Sequence, residues 1–506
     1  MMRAKLRRGG WSRLYAWMWG ALSALPGCHD GGNPPIEAMG GGGSGGGSSG
    51  GGGEGPTTTT DAAPEAGETG EPGPGPAITW HQHIAPIVGQ KCGGCHVAGG
   101  IAPFSLTTHA EALPFAGLLL DAVEQRRMPP FLAETTEECA PRFGFVDDPR
   151  LTDRELALLR GWALQGAQEG DPTTAAPLPP PPDLELADAD IHLEIPGEVT
   201  VDGDKDQYVC FSIDPKLSDI TWIDGLQVSP GNRKIVHHVL VYLDPDRASE
   251  QLVGPDGSYP CFGGPGLANT ALIAAWAPGT LPIVPPEQVA MYIQAGSRIV
   301  LNVHYHPTGA PEHDDSTTLH LRRRAGPPEY VGLLALIGNR STASAGLLPG
   351  PNDPDAIPTF LIPAGAVGHT ESMRIEVTPE LPELRLFGVG VHMHHVGTDM
   401  RISIERPQPA PGEPGEECLL QTPRWDFQWQ RGYDYDAPLD DLPRARPGDT
   451  VALRCTYDNS LANPAVVRAL AEQGLDAPTD VHLGESTLDE MCLGVFGVAV
   501  ALKDAF

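Results

Sequence analysis

From residue 188 onward the chain is written in short runs of alternating apolar and polar residues, separated by Pro, Gly, Asp and Asn. A two-residue period sends successive side chains to opposite faces, so each run can bury one face and leave the other wet. Tyr208–Ile213, Ile235–Leu243, Val289–Ile293, Ser297–Tyr305, Met373–Val377, Leu384–His394, Arg401–Ile404 and Thr450–Tyr457 all read as strands. This is the pattern of antiparallel, jelly-roll-like β-sandwiches. About 320 residues is generous for one sandwich. Two are therefore expected, 188–346 and 347–506, with the seam near Leu347-Leu348-Pro349-Gly350-Pro351-Asn352.

Upstream the texture differs. Residues 29–77 are Gly, Ser, Thr, Pro and acidic residues with almost nothing to bury, and Gly40–Gly53 is nearly a pure Gly/Ser tether. A second break, residues 173–187, carries Pro179-Pro180-Pro181-Pro182, a stiff polyproline-type spacer. Between the breaks, residues 78–172 form a small, mainly α unit. Thr152-Asp153-Arg154-Glu155 opens a stretch with a capping residue and acids, then apolar residues at helical spacing.

The N-terminus reads as an export signal. Arg3, Lys5, Arg7, Arg8 and Arg13 precede an apolar stretch, Leu14 to Leu25, too short to span a bilayer. Residues 1–28 end in Leu25-Pro26-Gly27-Cys28, which resembles a bacterial lipoprotein cleavage box and predicts lipidation at Cys28. The alternative is an ordinary secretory signal cut nearby. Either route leads to the periplasm or cell surface. A net charge of −32 argues against nucleic acid and anionic membrane surfaces as partners. Nine cysteines fit an exported chain. Apart from Cys28, Cys92 and Cys95, those left are Cys139, Cys210, Cys261, Cys418, Cys455 and Cys492, whose connectivity sequence alone leaves open.

Cys92-Gly93-Gly94-Cys95-His96 has the spacing that forms two thioether bonds and sets an imidazole under a haem iron. A stray disulfide or zinc pair is the bland alternative, but a zinc site would need two further ligands, and the segment offers no second Cys-x-x-Cys. Met128, in Arg127-Met128-Pro129-Pro130-Phe131, is the candidate second axial ligand, with His83 or His109 as alternatives. The segment resembles a small class I-type cytochrome c.

Two histidine groups lie within the strands. In Arg298–His306, Ile299, Leu301, Val303 and Tyr305 share one face, while Asn302, His304 and His306 share the other. In Leu384–His395, His392 and His394 are adjacent prongs on one face, above Gly388 and Gly390. His237 and His238 are neighbours, which a regular strand would point to opposite faces. Both reach one metal only through a bulge or an unusual twist. Imidazoles suit several metals, and a thioether such as Met491 favours reduced copper.

Residues 188–502 resemble the copper type II, ascorbate-dependent monooxygenases, the family of dopamine β-hydroxylase and peptidylglycine α-hydroxylating monooxygenase. The likeness rests on His237-His238, Val303-His304-Tyr305-His306, His392-Met393-His394, Arg454-Cys455-Thr456-Tyr457 and Glu490-Met491-Cys492, in that order. It implies two sandwiches, one copper each, across a solvent-filled gap. His237, His238 and His304 would hold an electron-transfer copper; His392, His394 and Met491 would hold the copper that faces dioxygen and substrate. It also implies a Cys455–Cys492 bridge, and leaves His306 and His395 as supporting or surface groups.

The implied chemistry inserts one atom of dioxygen into an aliphatic C–H bond and reduces the other to water, with electrons from ascorbate or another reductant. The fused c-type haem would relay electrons to the first copper. Peptide-amidating members carry Asn and Tyr two and four residues after the Met ligand. Leu493 and Val495 stand there in this chain, which argues against peptide amidation and toward a small apolar or aromatic substrate. Trp276, Trp425 and Trp429 are candidates for a pocket wall or for core. Two other classes are an exported electron-transfer or copper-binding protein without hydroxylase activity, and a tethered scaffold. The physiological electron donor is not legible.

Overall fold

The computed structural model describes residues 77–98, 102–178, 185–203, 205–339, 346–484 and 486–505. The export signal, Cys28, the Gly/Ser tether and the central prolines of the second break lie outside these residues. The described chain is mostly β-sheet with few helices, an arrangement compatible with β-sandwich domains.

The N-terminal β-region stacks two sheets. One has five strands in the order Ser258–Pro260, Gln207–Ile213, Arg298–Tyr305, Val236–Asp244, Ala271–Trp276. The other runs Ile191–Glu194, Thr318–Arg323, Thr221–Ser229, Val289–Ile293. Val239, Val241, Leu301 and Val303 from the first meet Ile223, Leu226, Met291 and Leu319 from the second in one buried cluster. Val239 and Val241, like Leu301 and Val303, are inward residues of a two-residue period, and burial of the cluster drives the stacking.

The C-terminal region repeats the plan. A four-stranded sheet, Val367–Glu376, Thr450–Asp458, Gly397–Glu405, Glu416–Thr422, faces Tyr330–Asn339, Cys492–Ala501, Leu384–His392 and Gly432–Asp434. Met373, Ile402, Leu453, Leu386, Phe496 and Val498 fill the space between.

The two regions share one sheet, because Tyr330 and Val331 pair in parallel with Val289 and Ala290. This pairing lies upstream of the seam expected near 347–352. Tyr330–Asn339 pairs along its whole length with Cys492–Ala501. On its other edge only Tyr330 and Val331 are paired, and most of its side chains are part-buried.

Residues 78–174 hold most of the described helices; Pro464–Glu472 is a further one in the C-terminal region. Ala85–Lys91, Ala116–Glu124 and Asp153–Leu164 bury Ile87, Val88, Val123, Leu159 and Trp162 together. Thr152 starts the last of these as the sequence predicts: its hydroxyl accepts the Glu155 N–H, and the Glu155 carboxylate accepts the Thr152 N–H. Between these helices the chain leaves to lie on the second sandwich. Leu132 N–H donates to Tyr433 Oη at 3.2 Å, Val146 N–H donates to the Asp434 carbonyl at 2.8 Å, and Cys139 is bonded to Cys418. Phe131, Leu132 and Ala133 join the core of that sandwich. Cys210–Cys261 and Cys455–Cys492 complete the bridges, the latter the pair implied by the resemblance. No described helix is long and apolar enough to cross a membrane.

Candidate metal centres

The strand pair Val236–Asp244 and Arg298–Tyr305 builds the first centre. His238 sits directly opposite His304, while the register slips between Val236 and His238. That slip is a bulge at His237, which lets two consecutive side chains turn toward one point. His237 Nδ1 lies 3.3 Å from His238 Nδ1, and His304 Nδ1 lies 3.2 Å from it. Two nitrogens bound to one tetrahedral ion at about 2.0 Å stand about 3.3 Å apart. The spacing fits a single metal. Among the described residues these three form the one cluster of His, Cys, Asp or Glu with ligand atoms all within 4.8 Å.

The groups behind the rings fix the tautomers. His304 Nε2 is 3.1 Å from Asp206 Oδ2, and His237 Nε2 is 2.9 Å from Gln428 Oε1. The Gln428 oxygen is an acceptor, so the His237 proton belongs on Nε2 and its Nδ1 keeps the lone pair, while Asp206 sets a negative charge beside His304 Nε2. Asp206 also accepts from His306 Nδ1 at 2.7 Å. Burial works against its ionisation, yet hydrogen bonds from His304 and His306 hold the carboxyl well below the usual range. Tyr208 stacks flat on His304, with ring centroids 4.3 Å apart. Burial first, then His304, His237 and His392, push the His238 pKa far down. A neutral imidazole is the ligating form.

The second centre lies at the end of Leu384–His392. The strand stops at His392, so His394 is not its next prong but stands just ahead of the turn at His395 and Val396. The rings still come together, with centroids 5.1 Å apart. His392 Nδ1 is held by Gln430 Oε1 at 2.6 Å, and His394 Nδ1 by the Asp489 carbonyl at 2.9 Å. Here Nδ1 carries the proton, the reverse of the first centre. Burial, followed by the neighbouring His392, takes the His394 pKa down to about 3.

The Met491 backbone is tied to that of His394 through Glu490. That carboxylate is fully buried and accepts backbone N–H groups from His394 (2.6 Å), Met491 (2.8 Å), Val396 and Gly397 (both 3.2 Å). Cys492, next in sequence, is bonded to Cys455, and the Tyr457 hydroxyl donates to the Met491 carbonyl at 3.0 Å. The Met491 backbone is thus fixed from three directions.

Gln428 of the second sandwich reaches His237 of the first across the gap that the resemblance implies. Trp425 is core and donates its indole N–H to the His394 carbonyl at 3.0 Å, while Trp276 and Trp429 pack against the two cores. His395 packs on Phe427. His369 pairs with buried Glu371, and His313 with Glu198.

In the helical segment, Cys92 and Cys95 are outside any disulfide. The His96 N–H donates to the Cys92 carbonyl at 2.9 Å, and His96 Nδ1 donates to the Phe104 carbonyl at 3.1 Å. That bond leaves Nε2 as the imidazole's ligating atom, as a haem would require. Of the alternative second ligands, His109 Nε2 is bound to the Ala167 carbonyl, and His83 Nδ1 accepts the Thr79 N–H. Met128 is half-buried at the exit from Ala116–Glu124. Gly279 of the first sandwich approaches the motif so closely that a methyl there would meet Cys95 Sγ at 3.9 Å. Arg233 and Arg431 also act electrostatically on Cys95.

Sequence reasoning missed Asp206, Gln428, Gln430 and the carboxylate of Glu490. Only Glu490 left a signal: an acid beside Met and Cys at the mouth of an apolar strand.

A scan against family models finds no match. The chain is 25% identical over 244 residues to a tyramine beta-hydroxylase of Caenorhabditis briggsae, covering 46% of this chain and 36% of that protein. It therefore spans little more than a third of that relative. The similarity supports a distant relationship to the dopamine beta-hydroxylase-like family. Among solved structures, the major capsid protein P2 from bacteriophage PM2 gives a TM-score of 0.23 at 9% identity, over 61% of this chain and 97% of that one. The tandem CBM22 domain of Paenibacillus barcinonensis Xyn10C gives 0.15 at 8% identity, over 62% and 98%. Neither score establishes a shared fold.

Proposed function

We propose that this protein is an exported, copper-dependent monooxygenase that hydroxylates an aliphatic C–H bond with dioxygen. The observation that carries the reading is the convergence of three Nδ1 atoms at metal-ligand spacing, with a second histidine pair nearby. His237, His238 and His304 would hold one copper, and His392, His394 and Met491 the other. When bound, copper supplies the one-electron redox chemistry that reduction of dioxygen needs. The protein's own part is to keep the imidazoles neutral, fix their tautomers and hold the Met491 backbone against Glu490. A mixed imidazole–thioether donor set at the second centre suits the cuprous state. The substrate class is a small apolar or aromatic molecule, since Leu493 and Val495 offer no polar grip for a peptide carboxylate.

Cys92 and Cys95 would carry the thioether bonds of a c-type haem, with His96 and Met128 as axial ligands. The approach of Gly279 of the first sandwich to Cys95 supports a relay from haem to the first copper centre. The basic start and Cys28 support export with a lipid tether. Oxygen uptake by the copper-loaded protein with ascorbate tests the enzyme. It should fall to the reductant's own autoxidation rate in Met491→Ala, and equal uptake in that variant contradicts the reading. For the relay, a chemically reduced haem should reoxidise when copper and oxygen are present; one that stays reduced counts against it.

A further inference from the structure

One short segment of the second sandwich touches both histidine groups. Trp425–Gln430 includes a single tight turn, Phe427–Trp429, in which Asp426 Oδ1 accepts the Gln428 N–H at 2.9 Å. From this turn Gln428 reaches across to His237 Nε2 at 2.9 Å, and Gln430 reaches back to His392 Nδ1 at 2.6 Å. The Gln430 amide has no choice of orientation, because its Nε2 donates to the Phe427 carbonyl at 3.0 Å. Its Oε1 therefore faces the imidazole, and an amide oxygen can only accept. The Phe427 ring lies 4.5 Å from His395 and 5.9 Å from His394, centroid to centroid, which seats the turn on the same group.

We propose that Gln428 and Gln430 are paired positioning residues that set opposite tautomers in the two centres from one turn, so that the first centre is completed by a residue of the other sandwich. Gln428 holds His237 as the Nε2–H form and presents Nδ1 to the His238–His304 pair. Gln430 holds His392 as the Nδ1–H form and makes Nε2 the basic nitrogen. Two histidine sets on different sheets then share one support, the six-residue segment Trp425–Gln430.

The tautomer claim is independent of copper; only the affinity arm rests on the function proposed above. Nitrogen-15 NMR of the histidine-labelled, metal-free full chain reads it directly, with His237 and His392 assigned from His237→Gln and His392→Gln spectra. The wild type should show His237 protonated at Nε2 and His392 at Nδ1. Gln428→Ala should turn His237 alone into a tautomer mixture, and Gln430→Ala His392 alone, while Gln428→Glu, which keeps the acceptor and the shape, should retain the wild-type signal. Copper titration should then show about tenfold weaker binding at the first centre for Gln428→Ala and at the second for Gln430→Ala. Unchanged tautomers in both alanine variants, or His237 protonated at Nδ1 in the wild type, overturn the proposal. A wild type that takes up no copper overturns the proposed function, while the NMR result still decides the role of the turn.

Discussion

His394 and Met491 share one hydrogen-bond acceptor: both backbone N–H groups donate to Oε2 of Glu490, at 2.6 and 2.8 Å. Ninety-six residues separate His394 from Glu490 in the chain, and a single carboxylate closes that distance. The His394 and Met491 backbones are therefore held together by a buried acid that need not touch a metal.

Replacing that acid should separate stability from binding. Glu490→Ala leaves four buried N–H groups without their acceptor, at about 1–3 kcal/mol each when unsatisfied, and should lower the thermal midpoint sharply. Glu490→Gln keeps one acceptor oxygen in the same volume. It should fold, yet bind copper about tenfold more weakly at the His392–His394–Met491 centre. Calorimetry and copper titration of the two variants check this.

Asp206 plays the matching part in the first centre. Asp206→Asn removes the charge behind His304 and His306 and puts an amide where a strong acceptor stood. Copper affinity at the His237–His238–His304 centre should fall by about 10–100-fold, with the second centre unchanged. Competition with a copper chelator, read separately for each centre, measures it.

How much of this was legible follows from what sets each feature. The strands carrying His237, His304 and His392 were readable because a two-residue period is local. The bulge at His237 was foreseeable for the same reason, since two adjacent imidazoles cannot otherwise share a metal. The partners of those rings were not. Asp206 meets His304 because Tyr208 pairs with His304 across two strands, and Gln428 meets His237 because two sandwiches abut. Both are facts of tertiary register that no local pattern encodes. Tyr330–Asn339 was hidden because its nearly continuous apolar run shows no alternation, although it pairs along its whole length with Cys492–Ala501. Cys139 had no reading until the 131–146 stretch was seen lying on the second sandwich.

That stretch gives a further prediction. Cys139–Cys418 closes a loop across 279 residues and anchors the exit from the helical segment. Cys139→Ser with Cys418→Ser should lower stability by about 2–4 kcal/mol. It should also expose residues 131–146 to limited proteolysis under non-denaturing conditions, detected by mass spectrometry of the fragments.

Acid should weaken the second sandwich through Glu413. Hydrogen bonds from Arg446 come first among the causes that hold its carboxyl at about 2, against an ordinary 4.5. A depressed folded pKa means the stabilisation is complete above pH 4.5 and is lost as pH falls toward 2. With solvent screening allowed for, the loss is on the order of 1–2 kcal/mol. Unfolding followed from pH 7 to pH 2 should show Glu413→Gln less stable than wild type at pH 7, with the difference closing below pH 3.

The most direct test of the account is the copper content of the periplasmically expressed protein, joined to X-ray absorption of its reduced form. Two coppers per chain, with a sulfur scatterer that disappears in Met491→Ala, is the result predicted. One copper or none, or a spectrum without sulfur, would contradict a pair of centres built from His237, His238, His304, His392, His394 and Met491.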